Sequence, residues 1–208
     1  MRETEIESKL EISEVDFGKV INMCEVIDSV ELLNVYYDEH EILSNESATF
    51  RIRLSSCKEP TITLKLPIKN RKIRREAVEI NKNMHKNRYM VPHIRYDVRN
   101  ELPKEINKYL VKRGIEHLHR LGWIRVHRFQ LRVHDDGPYF EMDMVKFPDG
   151  QLYYEVEIEG AEATKHHQII RYIKSIASSA EPSPYNKYQR FSKSLKRTAA
   201  SALKHTSA

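Results

Sequence analysis

The 208-residue chain predicts an α+β fold: an antiparallel sheet of eight strands with helices packed beside it. Three observations lead there. Apolar and charged residues alternate with period two along most of the chain, Asp/Gly/Pro clusters punctuate the later runs, and separate stretches carry apolar residues at helical spacing. At 40% apolar and 31% charged, the chain can bury one sizeable core. The expected organisation is one domain over residues 1–190 and a basic tail over 191–208, partly frayed.

Glu3 to Ile12 alternates strictly, with Glu5, Glu7 and Lys9 on one parity and Ile6, Leu10 and Ile12 on the other, as a strand with one charged face does. Ser13 then opens a helix predicted to reach Asp28, with Phe17, Val20, Ile21, Cys24 and Ile27 on one side. Strands follow at Leu32 to Glu39, Thr49 to Ser55, Thr61 to Pro67 and Arg74 to Ile80. Lys82 to Leu121 breaks that rhythm with a helical pattern around Ile106, Leu110 and Leu118. Trp123 to His134, Tyr139 to Lys146 and Leu152 to Gly160 return to strand, separated by the turn signals Asp135-Asp136-Gly137-Pro138 and Pro148-Asp149-Gly150. A last helix is predicted from Ala161 to about Ala177.

The charge balance narrows the function classes. Residues 181–208 hold six of the 35 Lys and Arg but only Glu181 of the 30 Asp and Glu, leaving a body of 29 against 29. A neutral body with a basic tail is a poor footprint for a DNA-binding face. Cys24 and Cys57 have neither disulfide nor zinc-site spacing. No run approaches the roughly 20 apolar residues of a membrane span, and MRETEIESKLEI lacks the layout of a secretion signal, so a cytoplasmic protein with no membrane partner is expected.

The charges within the strands are segregated. The first and last strands concentrate carboxylates (Glu5, Glu7, Glu155, Glu157, Glu159), and the middle strands concentrate cations (Arg51, Arg53, Lys65, Arg74). Two arrangements satisfy this pattern: a two-layer sheet whose charged side is wet, or a closed barrel whose lumen is ionic. In the second, a Born cost of order 20 kcal/mol per buried ion forbids a dry interior, so the lumen must hold water, metal and ligand. Arg51, Arg53, Lys65, Arg74 and Arg128 suit a row of phosphate groups. Glu5 and Glu7, facing Glu155 and Glu157, offer the hard oxygen donors that Mg²⁺ or Mn²⁺ prefers.

These residues resemble a known family, the CYTH or triphosphate tunnel metalloenzyme superfamily. Glu5-Ile-Glu7-Ser-Lys9 is similar to its Glu-x-Glu-x-Lys strand, Phe50-Arg51-Ile52-Arg53 to its Leu-Arg-x-Arg strand, and Thr63-Leu64-Lys65 to its lysine strand. Tyr36-Tyr37-Asp38, Arg74-Arg75-Glu76, Arg128, Glu141-Met142-Asp143 with Lys146, Glu155-Val156-Glu157 and Ser183-Pro184-Tyr185-Asn186-Lys187 follow in the family order. The resemblance implies a closed eight-stranded antiparallel β-barrel that binds a small triphosphate with Mg²⁺ or Mn²⁺. Glu5, Glu7, Asp143, Glu155 and Glu157 would hold metal, while Lys9, Arg51, Arg53, Lys65, Arg74, Arg128 and Lys187 would grip phosphate oxygens. In the fifth strand either Arg74 and Glu76 or Arg75 and Glu79 face inward. Glu157 is the first choice as proton acceptor, and Lys65 joins it as a catalytic cation.

The implied activity is metal-dependent triphosphatase action on tripolyphosphate, thiamine triphosphate or a nucleoside triphosphate. The alternatives are a class IV-type adenylate cyclase, an RNA 5′-triphosphatase suited by the basic tail, and a non-catalytic polyphosphate- or nucleotide-binding module. Triphosphate-ended RNA is the one nucleic-acid partner this allows, and a homodimer is compatible with it. His117, His119, His166 and His167 are expected at the solvent-exposed surface, Trp123 as a core or helix-packing residue, and one of Tyr36 and Tyr37 pointing away from the tunnel.

Overall fold

The structure, a computed structural model, describes residues 2–70, 74–83, 94–133, 137–160 and 162–206; the side chains of residues 2, 3, 69, 70, 74, 75 and 202–206 lie outside that description. In chain order the elements are β1 (Arg2–Ile12), α1 (Glu14–Met23), β2 (Glu25–Asp38), α2 (Ile42–Asn45), β3 (Thr49–Ser55), β4 (Thr61–Asn70), β5 (Arg74–Asn83) and β6 (Arg95–Asp97). Then come α3 (Val98–Glu101), α4 (Lys104–Val111), β7 (His117–Arg132), β8 (Tyr139–Lys146), β9 (Leu152–Glu159), α5 (Ala163–Ile176), β10 (Glu181–Pro182) and α6 (Lys187–Thr206).

The strands run β1-β5-β4-β3-β2-β7-β8-β9, and β1 pairs again with β9. Eight strands thus form a closed antiparallel barrel. The short β6 and β10 attach to β7 and β1. A bore of eight strands admits side chains or one small ligand but not helices, so the helices cover the outside and the charged parity turns inward. Register sets the inner rows: Lys9 opposite Glu157 opposite Glu141, then Glu11 opposite Glu155 opposite Asp143 opposite Arg128. Elsewhere Asn34 opposes Arg53, and Arg51 lies between Tyr36 and Thr63.

By their contacts the residues group into two compact units. One comprises Met1–Glu5, Leu32–Lys69 and Glu76–Trp123; the other comprises Ile6–Glu31, Asn70–Arg75 and Ile124–Ala208. In the first, Phe50, Ile52, Ile62 and Leu64 pack with Leu43, Val98, Ile106 and Leu110 of the helices. Tyr37 belongs to that outer core, its ring 5.3 Å from Tyr96 and edge-on to Phe50, whereas Tyr36 has the parity of Arg51. In the second unit Leu10, Ile12, Met142, Val156 and Ile158 meet Phe17 and Val20 of α1 and Ile169 and Ile173 of α5. Each such side chain contributes on the order of 1.5–3 kcal/mol by burial.

Several expectations change. The first helix ends five residues early: Cys24 is extended (φ −116°, ψ 158°) and its N–H donates to Val20 O. The chain continues as β2, where Ser29 and Glu31 meet His127 and Glu25 meets Arg132 across to β7. Helical spacing in Cys24 to Ile27 therefore misled, because polar cross-strand contacts outweigh it. Lys82 to Leu121 is not one helical segment: α3 and α4 occupy its middle, and β7 already begins at His117, so Leu118 is a buried strand residue. Residues 84–93 lie outside the description, as do His134, the expected end of a strand, and Asp135 and Asp136 of the first turn signal.

The second turn signal holds: Gly150, at φ 83°, donates its N–H to Phe147 O, a conformation glycine adopts without a Cβ penalty. Trp123, expected in the core or packed against a helix, is 42% exposed. Residues 187–206 form a helix that takes in most of the segment expected as a basic, partly frayed tail; Phe191 and Ser194 are buried, and Arg197 pairs with Asp149 at 2.7 Å. Among the described residues no helix is long and apolar enough to cross a membrane.

Candidate functional site

In the first unit, strands β3, β4 and β5 gather Arg51, Arg53, Lys65 and Glu79, joined by Glu5 of β1. Lys65 pairs with Glu5 and lies 3.4 Å from Glu79, while Arg51 lies 3.9 Å from Glu79. Arg53 donates to Asn34 Oδ1 at 2.9 Å, and Asn81 donates to Glu79 Oε2 at 3.2 Å. Burial raises the proton affinity of Glu79, but Arg51 and Lys65 win and hold its carboxyl at about 2. Inward Glu79 is the alternative register of the fifth strand; Glu76 is not the buried acid. The side chains of Arg74 and Arg75 lie outside the described residues.

The depressed Glu79 carboxyl predicts an acid-sensitive contribution. Its folded value lies below the ordinary 4.5, so its stabilisation is complete above that value and is lost as pH falls toward 2. The upper bound is about 3 kcal/mol. Glu79→Gln is expected to flatten the stability profile between these limits, measured by urea titrations at several pH values; an unchanged profile would remove Glu79 from the network.

In the second unit the acids outnumber the cations. Glu7, Glu11, Glu141, Asp143, Glu155, Glu157 and Glu159 stand with Lys9, Arg128, Lys187 and Arg190. Arg128 grips Asp143 through Nε and Nη2 (2.8 and 2.7 Å), reaches Glu157 at 2.6 Å and also pairs with Glu141. Lys187, the first residue of α6, sits among three carboxylates: Asp143 at 2.7 Å, Glu155 at 3.1 Å, and Glu157. Lys9 pairs with Glu157 and lies 3.1 Å from Glu7. Arg190, which the sequence reading missed, reaches Glu11 at 2.5 Å and Glu155 at 3.4 Å. Its signal was the spacing Lys187-x-x-Arg190, which puts both on one helix face.

These contacts split the carboxylates into two kinds. Burial disfavours the charge of Glu157 and Asp143, yet Lys187, Lys9 and Arg128 hold Glu157, and Arg128 and Lys187 hold Asp143, below the usual carboxylate range. Glu141 and Glu159 behave oppositely. Desolvation of the carboxyl pushes both up, in Glu159 although the residue as a whole is exposed at the end of β9, and neighbouring acids add to it: Glu157 and Asp143 for Glu141, Glu141 and Glu157 for Glu159. Glu141, Glu157 and Glu159 can each bring one oxygen within 4.8 Å of the others, forming the group among the described residues able to hold a metal ion. The same three carboxylates line a pocket of about 110 Å³ together with Gln130, Tyr139 and Lys165.

Of the residues expected to hold metal, Glu157 alone belongs to that group. Glu7 opposes Glu159 in register, Glu5 is engaged by Lys65, Asp143 by Arg128 and Lys187, and Glu155 by Lys187 and Arg190. Glu141 and Glu159 were not singled out as ligands, although both carry the inward parity. His117 is half-buried in β7 and His119 exposed, but His166, expected at the surface, is buried.

The comparisons with known proteins agree with this fold. The family model of the CYTH domain matches residues 3–192. The chain belongs to the CYTH domain family. No curated protein matches this CYTH domain. Among solved structures it is similar to a candidate adenylyl cyclase from Hippeastrum described as having a dominant triphosphatase activity, with TM-score 0.72, 18% identity, and coverage of 91% of this chain and 95% of that one. A candidate adenylate cyclase from Bacillus halodurans gives TM-score 0.70 and 23% identity over 91% of this chain and 98% of that one. A Pyrococcus horikoshii protein gives 0.55 and 16% over 93% and 98%. At these identities the likeness shows the shared fold.

Proposed function

We propose that this CYTH domain is a metal-dependent triphosphatase that cleaves a phosphoanhydride bond of a small triphosphate: inorganic tripolyphosphate, thiamine triphosphate or a nucleoside triphosphate. The supporting observation is the pocket lined by Glu141, Glu157 and Glu159, with Arg128, Lys9 and Lys187 beside it as cations suited to phosphate. The donor set is oxygen only, which fits Mg²⁺ or Mn²⁺, and two of its carboxyls are left by the protein's own cations with raised proton affinity. A divalent ion bound there would polarise a phosphoryl oxygen and lower the proton affinity of a coordinated water.

The chain's own groups do the rest. Lys9, Arg51, Arg53, Arg128 and Lys187, with Arg74, are proposed to orient phosphate oxygens; Lys9, Arg51, Arg128 and Lys187 would exchange carboxylate partners for phosphate as substrate enters. Lys65 would offset charge on the leaving oxygen. A donor aimed at such charge contributes about 2.7–4 kcal/mol in comparable sites. Glu157, held ionised by three cations, serves better as a fixed charge than as a proton acceptor. Glu159, which lies at the exposed end of β9 and forms no ion pair among the described residues, is proposed for that role instead.

The names of two structural neighbours favour a second reading, adenylate cyclase chemistry, in which a ribose 3′-oxygen attacks the α-phosphorus and pyrophosphate leaves. Incubation with ATP, tripolyphosphate, thiamine triphosphate and triphosphate-ended RNA in Mg²⁺ or Mn²⁺, followed by product separation, tests both. Inorganic phosphate with the matching diphosphate is the expected result. Cyclic nucleotide with pyrophosphate would establish the cyclase, and saturable binding without turnover would make the protein a binding module.

A further inference from the structure

Lys165 and His166 lie side by side in the first turn of α5, just beyond the strand that ends at Glu159. His166 is buried with both ring nitrogens engaged: Nδ1 lies 2.7 Å from Ser8 Oγ, and Nε2 lies 2.8 Å from the Gly160 carbonyl oxygen. A carbonyl oxygen only accepts, so Nε2 carries the hydrogen and Nδ1 accepts from the Ser8 hydroxyl. One ring therefore ties α5 to β1, at the residue between Glu7 and Lys9, and to the exit of β9. Gly160 makes that exit at φ 124° and donates its N–H to Ile6 O at 2.9 Å.

The consequence falls on Lys165, the cation among the residues lining the pocket of Glu141, Glu157 and Glu159. Its Nζ makes a long contact, 3.4 Å, to the Glu159 carbonyl oxygen, and among the described residues it forms no ion pair. Lys9, Arg128 and Lys187 must each leave a carboxylate before they can take a phosphate oxygen; Lys165 need not. It also comes from a helix instead of a strand, so the strand lattice does not reveal it.

Building on the triphosphatase reading, we propose that Lys165 is a substrate-binding cation that contacts a phosphate oxygen over this pocket, and that His166 is the positioning residue that holds it there. A charge-assisted hydrogen bond of about 1.5–3 kcal/mol corresponds to a tenfold or larger loss of substrate affinity.

The test compares wild type, Lys165→Ala, Lys165→Arg, His166→Ala and His166→Gln, with tripolyphosphate as probe, by steady-state kinetics and by calorimetric binding in Mg²⁺. Lys165→Ala is expected to raise KM about tenfold with kcat little changed. Lys165→Arg should restore most of it, and Mn²⁺ affinity without tripolyphosphate should be unchanged or tighter, since a positive charge has gone. His166→Ala should raise KM likewise, and His166→Gln, which keeps a donor and an acceptor, should recover part of it. An unchanged KM in Lys165→Ala beside an active wild type would overturn the Lys165 proposal alone, as would a joint loss of melting temperature and metal affinity. An inactive wild type would overturn the triphosphatase reading instead, and the binding isotherms would still decide Lys165, equal affinities counting against it.

Discussion

Glu157→Gln is expected to abolish metal-dependent phosphate release and to destabilise the fold, whereas Glu159→Gln is expected to abolish release alone. The two glutamates share a strand and a pocket but not a set of partners. Glu157 is buried and receives Lys9, Lys187 and Arg128, so neutralising it leaves three cations undercompensated in low dielectric. Breaking such a buried set typically costs about 3–5 kcal/mol, which for a chain of this size lowers the melting temperature by about 10 °C. Glu159 lies at the exposed end of β9 and adds repulsion to Glu141 and Glu157. Removing its charge should leave the melting temperature within about 2 °C. Calorimetry with a phosphate assay separates the two, and equal destabilisation by both would contradict the division of the carboxylates.

Lys187→Met is expected to weaken the pH dependence of stability. In the wild type Lys187 stands among Asp143, Glu155 and Glu157 and, with Arg128, keeps Asp143 and Glu157 below their ordinary range. A carboxyl whose folded value is depressed stabilises the protein above its unfolded value and ceases to do so as pH falls through the folded one. Without the ammonium one restraint on these carboxyls is gone, though Arg128 still holds both and Lys9 still holds Glu157, so their folded values move up toward the unfolded ones and less stability is lost as pH falls. At neutral pH the variant should lose about 3–5 kcal/mol, and its stability should fall less steeply than that of the wild type as pH drops from about 7 to about 3. Urea denaturation at both ends of that interval decides it, since wild type and variant falling in parallel would contradict the assignment of Lys187 as the central counter-ion.

The alternation of charge made the inner face legible in the sequence, because a period of two leaves a strand residue only one face to choose. Thr49–Ser55 and Tyr139–Lys146 fall where the pattern placed them. Period-based reasoning failed where apolar spacing fitted two structures, as in Cys24 to Ile27, and where short elements interrupt a long polar stretch, as in Lys82 to Leu121. The site was legible as a set of charges but not as pairs. Sequence parity cannot say that Lys187 already occupies the space among Asp143, Glu155 and Glu157, nor that Glu141 and Glu159 are left with raised proton affinity, since both follow from helix α6 and from strand register. His166 and Lys165 were illegible for the same reason: their meaning depends on which strand end the helix start meets.

The most direct measurement is a crystal structure of the protein soaked with Mn²⁺ and tripolyphosphate, with anomalous scattering used to locate the metal. The prediction is one anomalous peak bounded by Glu141, Glu157 and Glu159, with phosphate density contacted by inward lysines and arginines. A peak among Asp143, Glu155 and Glu157 with Lys187 displaced, or no metal inside the barrel at all, would contradict it.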